Sequence, residues 1–236
     1  EIGVNDALAN AGIESVETDL GEYIQQLADE PPFHIVGPAM HRSKENVADL
    51  FVRKTGSLRH RSIEDLCLEA RRQLRNKFLQ GDMGITGANL MVAETGTIVL
   101  VTNEGNGRMC TSLPRVHVAL VGMEKLIPTL EDVPTFIRLL PRAASGQSIT
   151  SYVNFISGPR GSGQTDGPEE LHVVILDNGR SRLLADPDLR ESLNCIRCGA
   201  CLNACPIFRK VGGHTYGWVY SGPIGAVITP MLTGLK

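Results

Sequence analysis

The sequence predicts an α/β domain, with a mostly parallel sheet flanked by helices, followed by a short cysteine-bearing segment. Three observations predict it. Helical and strand patterns alternate over the first 186 residues. The runs Ile98-Val99-Leu100-Val101 and Val173-Val174-Ile175-Leu176 are apolar on both parities, which suits strands covered on both faces. Four of the six cysteines fall within eleven residues, a clustering that suits a metal site in a reducing compartment. A disulfide framework would spread them to close long loops.

Residues 4–11 read as a short helix, 13–18 as a strand, and 20–28 as a helix stopped by Pro31-Pro32. Ser43 is placed to cap a helix whose apolar face is Val47, Leu50 and Phe51. Ser62 and Asp65 make a capping-box variant at the head of the longest helix. Its inner face reads as Ile63, Leu66, Cys67, Ala70, Leu74 and Phe78, and Gly81 ends it. Strands are expected at 89–93, 97–102, 116–121 and around 173–176, with a helix at about 132–143. Residues 157–168 form a glycine-rich polar loop, and 188–193 a helical turn. The expected division is an α/β domain over 1–186, a cysteine segment over 187–212 and a tail over 213–236.

With 236 residues and 42% hydrophobic content, the chain is long enough to bury a sizeable core. A net charge of −3 and a pI near 6.1 give no basic field for nucleic acid and no polybasic arm for anionic lipid. No apolar run reaches the length of a membrane span, and the opening residues are not a signal peptide. A cytoplasmic location is expected. The chain is also expected to start inside a domain, because a helical pattern begins at once.

The cysteine motif is Cys195-Ile196-Arg197-Cys198-Gly199-Ala200-Cys201-Leu202-Asn203-Ala204-Cys205-Pro206. This C-x2-C-x2-C-x3-C-P spacing is that of bacterial ferredoxins and points to 4Fe–4S clusters. Two-residue gaps let one tight loop wrap three corners of a cubane, and Gly199 lets the backbone come close. Zinc sites instead pair two C-x2-C hooks across a longer loop. In the ferredoxin arrangement Cys195, Cys198 and Cys201 serve one cluster, and Cys205 serves another. No cysteine follows Cys205, and Cys67 and Cys110 lack ferredoxin-type flanks. The expectation is a longer parent protein with two clusters, and a chain that by itself is apo or holds an incomplete cluster.

Three glycine-bearing stretches lie in the middle: 83–89, 94–97 and 103–108. Each alone reads as hairpin or loop chemistry, and none matches a phosphate loop or dinucleotide fingerprint. Together they suggest a small-molecule pocket at strand ends. Its candidate residues are Gly84, Thr86, Gly87, Asn89, Glu94, Thr95, Gly96, Asn103, Glu104, Gly107 and Arg108, with Asn106 beside them. Histidines 34, 41, 60, 117, 172 and 214 are scattered, and His117 and His172 read as strand residues rather than ligands. Arg71, Arg72, Arg75 and Lys77 read as a solvated helix face.

Several stretches resemble the LUD-domain iron–sulfur proteins of bacterial lactate utilization, LutB type. They are Glu17-Thr18-Asp19-Leu20-Gly21-Glu22-Tyr23, Gly84-Ile85-Thr86-Gly87-Ala88-Asn89, Ala93-Glu94-Thr95-Gly96-Thr97 and Asn103-Glu104-Gly105-Asn106-Gly107-Arg108. Gly167-Pro168-Glu169-Glu170-Leu171-His172, the ferredoxin motif and Tyr216-Gly217-Trp218-Val219-Tyr220-Ser221-Gly222-Pro223-Ile224-Gly225 extend the resemblance over essentially the whole chain. The resemblance implies a ribose-phosphate isomerase/CoA-transferase-like LUD fold, followed by half of a ferredoxin-like two-cluster segment. It implies a subunit that passes electrons through 4Fe–4S clusters in a cytoplasmic three-part system oxidising L-lactate to pyruvate. It also implies a parent protein extending beyond both ends of this chain, with a second cysteine motif. A second reading makes the LUD domain itself a CoA-transferase or sugar-phosphate-like catalyst, or a small-molecule binder, with Glu94 the candidate catalytic residue and the cluster structural. A purely structural LUD domain is the third.

Overall fold

Capping side chains set the first helix boundaries in the computed structural model, which describes residues 2–31, 33 and 37–234. After α1 (Val4–Asn10), the Asp19 carboxylate accepts from the Gly21 and Glu22 amides and starts α2 (Leu20–Leu27). Ser43 and Asn46 form a reciprocal capping box on α3 (Lys44–Thr55). Ser62 Oγ accepts from the Asp65 amide at the head of α4 (Ile63–Gln80). The next elements are β1 (Met83–Gly87), β2 (Leu90–Val92), β3 (Thr97–Thr102), α5 (Asn106–Ser112), β4 (Val116–Gly122) and β5 (Leu126–Ile127). Then come α6 (Val133–Ser145), β6 (Tyr152–Ile156), β7 (Glu170–Leu176), α7 (Arg180–Ala185), α8 (Ala200–Ala204), α9 (Pro206–Val211) and α10 (Gly222–Thr233). Among the described residues no helix is long and apolar enough to cross a membrane.

The chain divides into two compact units. One takes the residues up to Lys77 together with Cys201–Thr229; the other takes Phe78–Ala200 and the residues from Pro230 on. In the first, Ile24, Ala39, Ala48, Leu50, Phe51, Leu66 and Ala70 form the core, with Tyr23 and Phe51 rings 6.5 Å apart. Each large side chain buried there contributes about 1.5–3 kcal/mol. Residues 13–18 are not the expected strand. The Gln26 side chain accepts from the Glu17 amide and donates to the Ser15 carbonyl, so those backbone groups are bonded without a strand neighbour. Pro32 and His34 lie outside the described residues.

The buried arc of α4 is also rotated from its expected place. Leu66, Ala70 and Leu74 are inside as read, but Ile63 and Cys67 are exposed and Glu69 is buried. Burial of Glu69 is tolerated because Arg72 and Gln73, one turn on, both bond its carboxylate.

The second unit holds two sheets. A parallel three-stranded sheet has the order β1-β4-β7; a mixed four-stranded sheet has the order β5-β2-β3-β6. In the mixed sheet β3 is antiparallel to both β2 and β6, and β2 is parallel to β5. Ile98 and Leu100 of β3 pack with Ala119 and Val121 of β4 in one core cluster. Leu90, Val92 and Val99 pack with Ile127, Val133, Phe136 and Ile137 in another. The run 98–101 is therefore buried on both faces over 98–100, with Val101 half-buried, though between antiparallel neighbours. The run 173–176 is not: Val174 and Ile175 are both exposed, because β7 is an edge strand.

The stretch 83–87, read as a glycine loop, is β1 itself. Gly84 is required by packing. A Cβ there would lie 1.9 Å from the Cys110 carbonyl oxygen of α5, a backbone atom that cannot rotate away. Gly84→Ala is expected to destabilise the protein by about 3 kcal/mol through overpacking, read as a lower denaturant midpoint.

A pH experiment tests the buried carboxylate of α4. Hydrogen bonding from Arg72, against opposing desolvation, lowers the Glu69 carboxyl from 4.5 to about 2. A folded value below the unfolded one stabilises the protein above the unfolded value, and that contribution is lost as pH falls from about 4.5 to about 2. Glu69→Gln should flatten the slope of unfolding free energy against pH in that window. An unchanged slope would show that the carboxylate is not so held.

Candidate metal centre

The first half of the cysteine motif is built by two left-handed residues and two spacers. A short 3-10 helix, Arg190–Asn194, delivers the chain to Cys195. Arg197 has φ 62° and Gly199 φ 74°, so the chain bends on both sides of Cys198. For arginine that conformation costs about 1 kcal/mol, which the surroundings must offset. Ile196 lines a small apolar cleft together with Leu90 and Val101 of β2–β3 and Phe136, Ile137 and Leu140 of α6. The Arg197 guanidinium meets Glu124 Oε1 at 3.4 Å.

Glu124 is the hinge of these contacts. It sits in the 3-10 turn Met123–Lys125 that succeeds β4. Its side chain is 2% exposed, and its other carboxylate oxygen accepts from Nε of Arg180, itself 3% exposed. A Cβ on Gly122 would come within 2.3 Å of that carboxylate, so glycine there leaves room for Glu124 to fold back. Lys125 is beside it. Burial pushes its ammonium below the ordinary lysine range, Arg197 and Arg180 add to that, and Glu124 and Cys195 oppose it. Lys125, Arg180 and Arg197, the last of them in the first hook itself, thus gather about one carboxylate.

The second half is built by helix ends. Cys201 lies in α8, and Cys205 is the N-cap of α9, its Sγ accepting from the Phe208 amide at 3.4 Å. Pro206 occupies the first helical position, where a missing N–H costs nothing. None of the six cysteines is disulfide-bonded. The boundary between the two units falls between Cys198 and Cys201. Among the described residues no three His, Cys, Asp or Glu side chains are gathered as a metal-binding group. The donor chemistry fits iron–sulfur nonetheless: four thiols, with no carboxylate or imidazole interleaved, on a loop that two left-handed residues bend sharply.

The central glycine stretches are not all brought together. Glu94, Thr95 and Gly96 form the β2–β3 turn, with Glu94 Oε2 accepting from the Leu130 amide and Thr95 bonded to Thr97. Asn103, Glu104, Gly107 and Arg108 lie at the other end of β3, about 20 Å away for six extended residues. There Asn103 accepts from Thr150 and Ser151, and Arg108 lies over the Tyr152 ring. Asn89 accepts from the Val101 amide. Gly84 and Gly87 lie in β1, where Thr86 bonds His117. Burial pushes the His117 imidazole down, which keeps it neutral. None of the eleven candidates lines the cleft of about 370 Å3 that Thr111, Ser112, Asn154 and Phe155 border with the 157–168 loop.

Similarity to known proteins decides the family. The LUD domain family matches residues 4–176. The chain belongs to the LUD domain family. A 4Fe-4S dicluster domain matches residues 191–234, so 4Fe–4S is the cofactor that accompanies this LUD domain. A protein of Shouchella clausii called lactate utilization protein B is 53% identical over all of this chain and half of its own length. Its namesake in a Geobacillus species is 51% identical over 99% of this chain and 49% of its own. An Escherichia coli protein, described as uncharacterized electron transport protein YkgF, is 51% identical over all of this chain and half of its own. The LUD chain spans about half the length of these curated relatives. A solved structure of a DUF162 family protein from Deinococcus radiodurans overlaps 42% of this chain and 56% of its own, with 24% identity and a TM-score of 0.33. That likeness is too slight to carry an argument.

Sequence reasoning found the cysteines but not Glu124, Lys125 or Arg180, which stand 71, 70 and 15 residues before Cys195. No spacing rule links them to the motif. The thiols themselves are open to a direct test. Alkylation of the native apo chain should label exposed Cys67 fast, leave buried Cys110 unlabelled until unfolding, and label the four half-buried motif cysteines at intermediate rates by mass spectrometry.

Proposed function

We propose that this chain is the iron–sulfur, electron-transferring part of a bacterial protein that works with other subunits in oxidising L-lactate to pyruvate. The supporting observation is the joining of a LUD domain to a C-x2-C-x2-C-x3-C-P thiolate segment. The relatives called lactate utilization protein B supply the substrate, and the relative described as an electron transport protein supplies the reaction class.

In this reading Cys195, Cys198 and Cys201 are three ligands of one cluster, and Cys205 is a ligand of a second. The remaining ligands come from elsewhere in a longer protein. A bound 4Fe–4S cluster supplies one-electron steps; the chain's own residues hold it and shape its field. Residues 1–186 act as the LUD platform, and 187–212 carry the thiolates. The protein acts in the cytoplasm, where thiols stay reduced. The glycine stretches at the two ends of β3 are separate turns, so the LUD domain's small-molecule pocket, where it has one, is not formed by all eleven residues together.

Cys198→Ser in the full-length protein, reconstituted with its partners under anaerobic conditions, tests the proposal. Lactate-dependent reduction of an acceptor should fall at least tenfold while far-UV circular dichroism is unchanged. Undiminished electron flow would end the reading. Glu94→Gln should leave the flow within twofold of wild type; a collapse would move catalysis to the β2–β3 turn.

A further inference from the structure

The cleft beside β6, the stacked His41 and His214 rings and the buried carboxylate beside the first hook all lie outside the cysteine motif. Only the last connects to the thiolates. The cleft is open, and its Arg160 already pairs with Glu169. The histidine stack, 4.4 Å between ring centroids, has Glu30 hydrogen-bonded to His41 and, among the described residues, no further group that names a ligand.

Glu124 is different because of what it grips. One carboxylate oxygen takes Arg180 and the other takes Arg197, the second spacer of the Cys195–Cys198 hook. Arg197 holds a left-handed backbone that favours glycine, and position 199, two residues on, is glycine. An arginine in that conformation needs an external hold, and a buried carboxylate provides one. Ile196, the other spacer, is half-buried and lines a small apolar cleft together with residues of β2, β3 and α6. The Arg197 spacer is thus held and the Ile196 spacer faces apolar wall, which sets the backbone directions of the two cysteines between which they lie.

We propose that Glu124 is a positioning residue for the iron–sulfur cluster, acting through Arg197 to preset the Cys195–Cys198 hook. It touches no ligand atom itself. Presetting the hook removes part of the ordering cost of closing a loop around a cluster and slows the loss of its iron. The same grip keeps cationic Arg197 and Arg180 beside the site, where a cluster with thiolate ligands is anionic. The proposal rests on the reading of Cys195 and Cys198 as ligands.

The test uses full-length protein with clusters reconstituted anaerobically, and tracks iron loss to a chelator by the cluster's visible absorbance. Arg197→Gly keeps the backbone conformation comfortable and removes the grip. The expected result is iron loss more than threefold faster, an altered electron paramagnetic resonance line shape, and an apo-protein melting temperature equal to wild type. Arg197→Lys, which restores a cation towards Glu124, should recover at least half of the lost lifetime. Glu124→Gln should match Arg197→Gly, and the double variant should be no worse than either single one. If Glu124→Gln does not fold, Arg197→Gly alone decides.

Iron loss within threefold of wild type in Arg197→Gly overturns the proposal. So does faster loss accompanied by a matching drop in apo-protein melting, which would make the contact merely structural. A parallel Cys198→Ser protein separates the two levels. If it retains full iron, the ligand reading itself has failed and the positioning role falls with it. If it loses iron while Arg197→Gly does not, only the positioning role has failed.

Discussion

The contact between β3 and β4 is the constraint on which the second unit depends. Ile98 and Leu100 face Ala119 and Val121, and all four are buried. The contact joins a parallel sheet to a mixed one, so each sheet covers a face the other would leave wet. β4 is the central strand of the parallel sheet, hydrogen-bonded to β1 and β7. Its path is therefore held on both edges and on one face. That path dictates where the chain emerges after Gly122, the last residue of the strand, and the first carboxylate beyond it is Glu124.

A carboxylate at that depth would be costly alone. Two arginines make it tolerable, and the arrangement is better understood as specifying geometry than as adding stability. Replacement of such a group by an apolar residue is often neutral, whereas removal of both arginines would leave a buried, unpaired charge. The grip on Arg197 carries the sheet's rigidity to a loop that would otherwise be set by its own backbone alone. A left-handed arginine in a short loop is the visible result.

The two halves of the cysteine motif are made by different means. Cys195 and Cys198 belong to the second unit, where the Ile196 and Arg197 spacers set them. Cys201 and Cys205 belong to the first, where helix ends set them. In that unit Gly222, with φ 68°, leaves room for Leu202 next to Cys201: a Cβ would lie 2.0 Å from its Cδ2. Each half of the motif is thus set by residues of its own unit.

What the sequence determined by itself is local. Ser43, Ser62 and Asp19 cap helices because capping needs only a side chain within three residues. The strand 97–102 was legible because an apolar run on both parities has few other uses. The cysteine spacing named its cofactor because a cubane needs thiolates at short, regular intervals. Tertiary structure decided the rest. Residues 83–87 became a strand through pairing with 116–120, and residues 13–18 stayed out of a sheet because Gln26 took their backbone groups. Glu94 and Asn103, nine residues apart and alike in their glycine-rich surroundings, were sent to opposite ends of one strand. Glu124 came to the first hook from seventy-one residues upstream. Such placements depend on which distant segments share a buried face, and spacing along a chain does not encode that sharing.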